Sequence, residues 1–137
     1  MIIFMSHQDL VRDFYAARAR RDWDAVAALL VGDIAWHEPG AEDYSGSHHG
    51  LDAVLRLLKR LVEVTEGTFS LEPTDFITTS EHTATNARWT ASRGGVRVEG
   101  NELAVFRIAD ARIAEAWFHP DGYDPEALSA VFSFKNP

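Results

Sequence analysis

The spacing of apolar positions changes period once, near Gly67, and divides the chain into a helical first half and a strand-rich second half. Leu10, Val11, Phe14 and Ala17 fall at i, i+1, i+4 and i+7, while Arg12, Asp13, Arg20 and Arg21 take the other face. That predicts an amphipathic helix from about His7 to Arg20, started by a near capping box in which Asp9 follows Ser6. Asp22 is placed to cap a shorter helix with Trp23, Val26, Ala27 and Leu30 inward, and Gly32 ends it. Leu51, Val54, Leu55, Leu58, Leu61 and Val62 give the cleanest helical period of the chain. Gly50 and Asp52 mark its start, with Lys59 and Arg60 placed favourably towards its C-terminal end.

Strand patterns fill the rest. Asp33 to Glu38 reads as a first strand, stopped by Pro39-Gly40, and the polar residues 41–49 read as a loop. Thr68 to Thr79 is rich in β-branched and aromatic residues, and Pro73 in it predicts a bulge or a sheet edge. Thr83, Thr85, Ala87, Trp89 and Ala91 alternate along the next strand, and Arg93-Gly94-Gly95 is a hairpin turn signal. Strands over Val96–Ile108 and Ile113–His119 follow, then the turn Pro120-Asp121-Gly122, a short helix from Pro125 to Val131, and an apolar tail at Phe132-Ser133-Phe134. The order α-α-β-α-β-β-β-β predicts an α+β domain: a curved antiparallel sheet joined by hairpins, with helices over one face. No repeat, low-complexity segment or linker divides it, so residues 1–137 form one domain with a core at about 7–128.

Composition narrows the function classes. With 46% hydrophobic and 25% charged residues the chain is an ordinary globular one, and its length suffices for a sizeable core. The absence of cysteine excludes disulfides and thiolate metal sites. A formal charge of −8 disfavours binding to nucleic acid or an anionic membrane. Met1 to Met5 is apolar but lacks a basic start and is cut off by Ser6-His7-Gln8-Asp9, so no signal peptide and a cytoplasmic location are expected. No apolar run approaches the roughly 20 residues of a membrane span.

Several segments together resemble the SnoaL-like polyketide cyclases and ketosteroid-isomerase-like proteins of the nuclear-transport-factor-2-like superfamily. They are Phe14-Tyr15-Ala16-Ala17, Asp22-Trp23-Asp24-Ala25, Leu29 to Trp36, Gly46 with Gly50-Leu51-Asp52-Ala53-Val54, and Phe106-Arg107-Ile108 through Ile113 to Trp117. The resemblance implies a cone, in which a bent sheet wraps around the long helix and leaves a deep, mostly apolar pocket. It also implies a homodimer formed through the outer face of the sheet, and work without a cofactor.

Glu38 is the leading catalytic candidate. In the isomerase pattern the general-base carboxylate directly precedes a proline on this strand, as Glu38 precedes Pro39. An apolar pocket would desolvate that carboxylate and raise its pKa towards the range where it can shuttle protons. The alternative is a strand-end acid in solvent. The same isomerases use a tyrosine and a second acid as oxyanion donors. Those positions fall here on Phe14, with Tyr15 one residue off, and on Ala104, so 3-oxosteroid isomerisation is not expected.

His119 and Asp121, leaving the last strand, form a second candidate acid/base pair, with a plain turn role for Asp121 as the alternative. The resemblance turns Trp36, Glu38, Ala116 and Phe118 towards the pocket and Trp117 outwards. With Phe14, Tyr15 and His37 added, these are the ligand-binding candidates. His37-Glu38, His48-His49 and His119 supply metal-ligand chemistry, but no spacing matches a metal motif and none is expected. The expectation is thus a cofactor-independent isomerase, cyclase or hydratase acting on a small apolar molecule, or a non-catalytic binding or dimerisation module of the same fold.

Overall fold

Capping starts each of the three side-chain-capped helices in the computed structural model, which describes residues 6–136. Met1–Met5, where no signal peptide is expected, lies outside that range. Ser6 Oγ accepts from the Asp9 backbone N–H at 3.1 Å and opens α1 (His7–Ala19). Asp22 does the same for Ala25 at 3.1 Å and opens α2 (Trp23–Ala28). The chain then runs through β1 (Leu30–Glu38), β2 (Gly46–His49), α3 (Leu51–Val64), β3 (Ser70–Thr78), β4 (His82–Arg93), β5 (Val96–Ala109), β6 (Arg112–Asp121) and α4 (Pro125–Phe132), the last capped by Asp124. Gly67, at φ +78°, ends the turn after α3 in a conformation that suits glycine.

The six strands form one sheet in the order β2-β1-β6-β5-β4-β3. All neighbours are antiparallel except β1 and β6, which run parallel with Trp36 opposite Ala116. The expected all-antiparallel sheet is therefore corrected to a mixed one. Hairpins impose antiparallel pairing, but α3 and four further strands separate β1 from β6, and that length of chain permits return in the same direction.

The second correction is β2, inside the stretch read as a loop. Gly46-Ser47-His48-His49 has no apolar alternation, and it becomes a strand only by pairing with β1, Glu38 opposite Gly46 and Ala35 opposite His49. Pro73 sits where the sequence places it: β3 is an edge strand, and its register slips between Pro73 and Asp75.

One face of the sheet is packed. Thr83, Thr85, Ala87, Trp89 and Ala91 of β4 point inward, as do Ala104 and Phe106 of β5 and Ala116 and Phe118 of β6. Val54, Leu58 and Leu61 of α3 and Val11 and Phe14 of α1 cover them. Phe14 touches Tyr15, Trp36 and Phe106 at ring separations of 5.7–5.9 Å. This aromatic layer floors the site.

Candidate functional site

A small cavity of about 40 Å³ opens beside the C-terminal end of β1 and the middle of β5. Glu38 from β1, Glu102 from β5 and Arg18 from α1 meet at it. Each arrives by simple periodicity. Trp36 and Glu38 share the inward phase of β1. Glu102 continues the inward series Val98, Gly100, Glu102, Ala104, Phe106, Ile108, and Arg18 continues the inward stripe of Val11, Phe14 and Tyr15 by one more turn. Apolar side chains close the space: Leu61 of α3, Phe69 before β3, Leu71 of β3, and Leu128 and Phe132 of α4.

Placing two carboxyl groups here is costly to their charged forms. Burial pushes the Glu38 carboxyl up from 4.5 to about 7, against the opposing pull of the Trp36 indole N–H, which donates to Glu38 Oε1 at 2.8 Å, and of the Arg18 charge. Burial, with Glu38 adding repulsion, pushes Glu102 up to about 8. The two titrate as a pair, so the proton spends its time on one or the other.

Arg18 is only 6% exposed, and burial lowers its pKa too. Its guanidinium lies 5.8 Å from the Trp36 ring and 5.5 Å from the Phe69 ring. The hydroxyl of Tyr15 and the indole N–H of Trp89 are buried near this site without a hydrogen-bond partner among the described residues. Burial raises the Tyr15 phenol well above its ordinary value, and Glu102 and Glu38 add to that rise.

Of the residues singled out from sequence, Glu38 lines the cavity, and Tyr15 lies against Arg18 beside it. Phe14, Trp36, Ala116 and Phe118 face the same side of the sheet but are fully packed in the floor, where Trp36 reaches the site through its N–H. Three candidates are elsewhere. His119 alternates away from Phe118, is exposed, and borders a separate groove beside Pro39 and Tyr123. Asp121 is exposed at the end of β6, two residues further on in the same outward phase. Neither is brought to Glu38, because strand alternation allows only one of Phe118 and His119 to face inward.

His37 likewise points to the outer face. Its Nε2 lies 2.7 Å from Glu115 Oε2, its Nδ1 2.7 Å from Ser47 Oγ, and its ring stacks on Trp117 at 5.8 Å. The hydrogen bond from His37, helped by Arg107, holds the Glu115 carboxyl below its usual range. Among the described residues, no group of three or more His, Asp or Glu side chains is gathered to hold a metal ion.

Counting along the chain put the second acid's position on Ala104. Glu102 reaches the cavity from two residues earlier on the same face, so a tyrosine and a second acid are both present, displaced by one and two positions. Glu102 and Arg18 were the residues missed, and the signal was a charge in the inward phase of an otherwise apolar series.

The architecture has solved relatives. A protein of unknown function with a cystatin-like fold from Xanthomonas campestris superposes with a TM-score of 0.85 at 24% identity, covering 94% of this chain and 99% of that one. A nuclear-transport-factor-2-like protein from Burkholderia xenovorans gives a TM-score of 0.72 at 21% identity, covering 96% and 100%. An uncharacterised protein of Mycobacterium tuberculosis is 27% identical over 106 residues, 77% of this chain and 81% of its own. The fold is thus that of the nuclear-transport-factor-2-like superfamily. Within it, residues 11–116 match the SnoaL-like domain, and the chain belongs to that family.

Proposed function

We propose that the protein is a cofactor-independent enzyme that moves a proton within a small organic molecule, as an isomerase, cyclase or hydratase does, with Glu38 and Glu102 as its acid/base pair. The observation that supports this most directly is two carboxyl groups on one cavity, both with pKa raised into the physiological range. At neutral pH such a pair holds about one proton, so one carboxylate can abstract while the other, protonated, donates. Trp36 favours the ionised form of Glu38 by its hydrogen bond, which makes Glu38 the base and Glu102 the acid. Leu61, Leu71, Phe69 and Phe132 give the ligand's carbon skeleton an apolar bed and exclude water that would otherwise level the two pKa values.

The test is Glu38→Gln, which keeps the volume and the Trp36 contact and removes the base. Against a panel of enolisable carbonyl compounds and unsaturated acids, the variant is expected to lose about a hundredfold or more in turnover at unchanged fold. Wild-type turnover in the variant would remove Glu38 from the mechanism.

The second reading, a pocket that holds a ligand without converting it, is favoured by one observation: about 40 Å³ accommodates roughly two or three water molecules, well under a usual ligand site. Tight ligand binding by a wild-type protein that turns nothing over selects it. We infer also that two copies pair through the outer sheet face, on which Trp117 lies half-buried and Leu103 is 46% exposed. Light scattering at two concentrations tests this, and a monomer at both ends it.

A further inference from the structure

We propose that Arg18, with the Tyr15 hydroxyl and the Trp89 indole N–H beside it, is a receptor for a carboxylate, and that the ligand of this cavity is a small organic acid. The inference deepens the reading above and rests on its placement of the active cavity.

The argument starts from donors without acceptors. A buried donor left unpaired costs about 1–3 kcal/mol, so native proteins carry few of them. Here the Tyr15 hydroxyl and the Trp89 N–H are both buried and unpaired. Trp89 lines the cavity, Tyr15 lines a neighbouring hollow, and Arg18 lines both. Arg18 is 6% exposed, and its guanidinium has no carboxylate within 4.0 Å among the described residues. Trp36 and Phe69 flank it and give it no acceptor oxygen. Glu38 and Glu102, the acids nearby, share about one proton at neutral pH and are both protonated at pH 6.

Removing one partner of a buried ion pair is strongly destabilising, because it leaves a charge without compensation. At pH 6, with both glutamates protonated, Arg18 is in that position. What restores balance is an anion with paired, coplanar acceptors, since the guanidinium offers a planar fork that a carboxylate matches with two parallel hydrogen bonds. A neutral carbonyl would leave the charge uncompensated and one arm of the fork idle. The remaining volume and the apolar wall of Leu61, Leu71 and Phe132 suit a short hydrocarbon remainder. Arg18, Glu38 and Glu102 line the same cavity, so an acid held by Arg18 shares that space with both glutamates.

The test measures binding of formate, acetate and propionate to the full chain by calorimetry and thermal shift at pH 6. Their neutral amides, formamide, acetamide and propionamide, serve as shape-matched controls. The acids are expected to raise the melting temperature with concentration and the amides are not. Arg18→Met, which keeps an unbranched chain between Trp36 and Phe69, is expected to weaken acid binding roughly tenfold to a hundredfold. Circular dichroism checks that variant's fold, and the acid–amide comparison on the unaltered protein stands if the variant does not fold. Equal shifts by acids and amides, no shift by any of the six, or full acid binding in a folded Arg18→Met variant would each overturn the proposal. Its failure is separable from that of the acid/base reading. Glu38-dependent turnover of a substrate lacking an acid group sinks only the carboxylate receptor. Arg18-dependent acid binding with turnover indifferent to Glu38→Gln sinks only the acid/base pair.

Discussion

Glu38 and Glu102 make folding stability depend on pH in a direction opposite to that of most surface acids. In the unfolded chain a glutamate titrates near 4.5, whereas the folded pair titrates near 7 and 8. Between those limits the folded state binds more protons than the unfolded one, so stability falls as pH rises from about 4.5 to about 8 and then levels off. Glu102→Gln removes part of that loss. It is expected to raise the melting temperature by several degrees at pH 8, on the order of 1 kcal/mol or more, and to leave it nearly unchanged at pH 4.5. Scanning calorimetry at the two pH values decides it, and a drop at both would mean that the ionised form is the one the fold supports. Glu115, on the outer face, behaves in the usual sense. Its carboxyl is held low by His37 and Arg107, so its contribution is present above pH 4.5 and is lost as pH falls through its folded value. Glu115→Gln should therefore cost up to about 1 kcal/mol at neutral pH and little near pH 3, a difference that urea titration resolves. At this scale the sequence showed Glu38 through its place before Pro39. It hid Glu102 and Arg18 because a charge in an inward phase has a meaning only once the curvature of the sheet is known.

The elements were largely legible where one face is buried. α1, α3 and strands β3 to β6 each carry a periodic apolar face, and their observed bounds differ from the expected ones by only a residue or two in either direction. β2 was not legible, because its four residues gain their conformation from β1 across the turn and not from their own pattern. Strand packing also sets a sharp requirement at Gly100 of β5. It pairs with Trp89, and a Cβ there would lie 2.7 Å from Trp89 Cζ2 and 2.9 Å from the Asp121 carbonyl oxygen. Neither the packed indole nor the backbone can retreat cheaply. Gly100→Ala is expected to destabilise by about 1–3 kcal/mol, and to move Trp89, which lines the cavity, so its intrinsic fluorescence should change in the folded state. A variant as stable as the parent would show that the indole has room to turn.

At the scale of the molecule, α4 stops the mouth of the cone. Its Leu128 and Phe132 close the cavity, and the segment after it is fastened from below: Arg93 donates to the Ser133 and Lys135 carbonyls and Arg60 to that of Phe134. The sequence identified this helix but gave no sign that it forms a wall of the site, since the contacts span most of the chain. The sheet order carries a further consequence. β6, the last strand to be made, lies between β1 and β5, so neither the β2-β1 pair nor the β5-β4-β3 meander can join until it arrives. On the ribosome, then, everything before residue 112 emerges as two half-sheets with open edges, and the wall carrying Glu38 has nothing to lean on. A chain that stops ahead of β6 would leave the edges of β1 and β5 open to proteases and to pairing with its siblings.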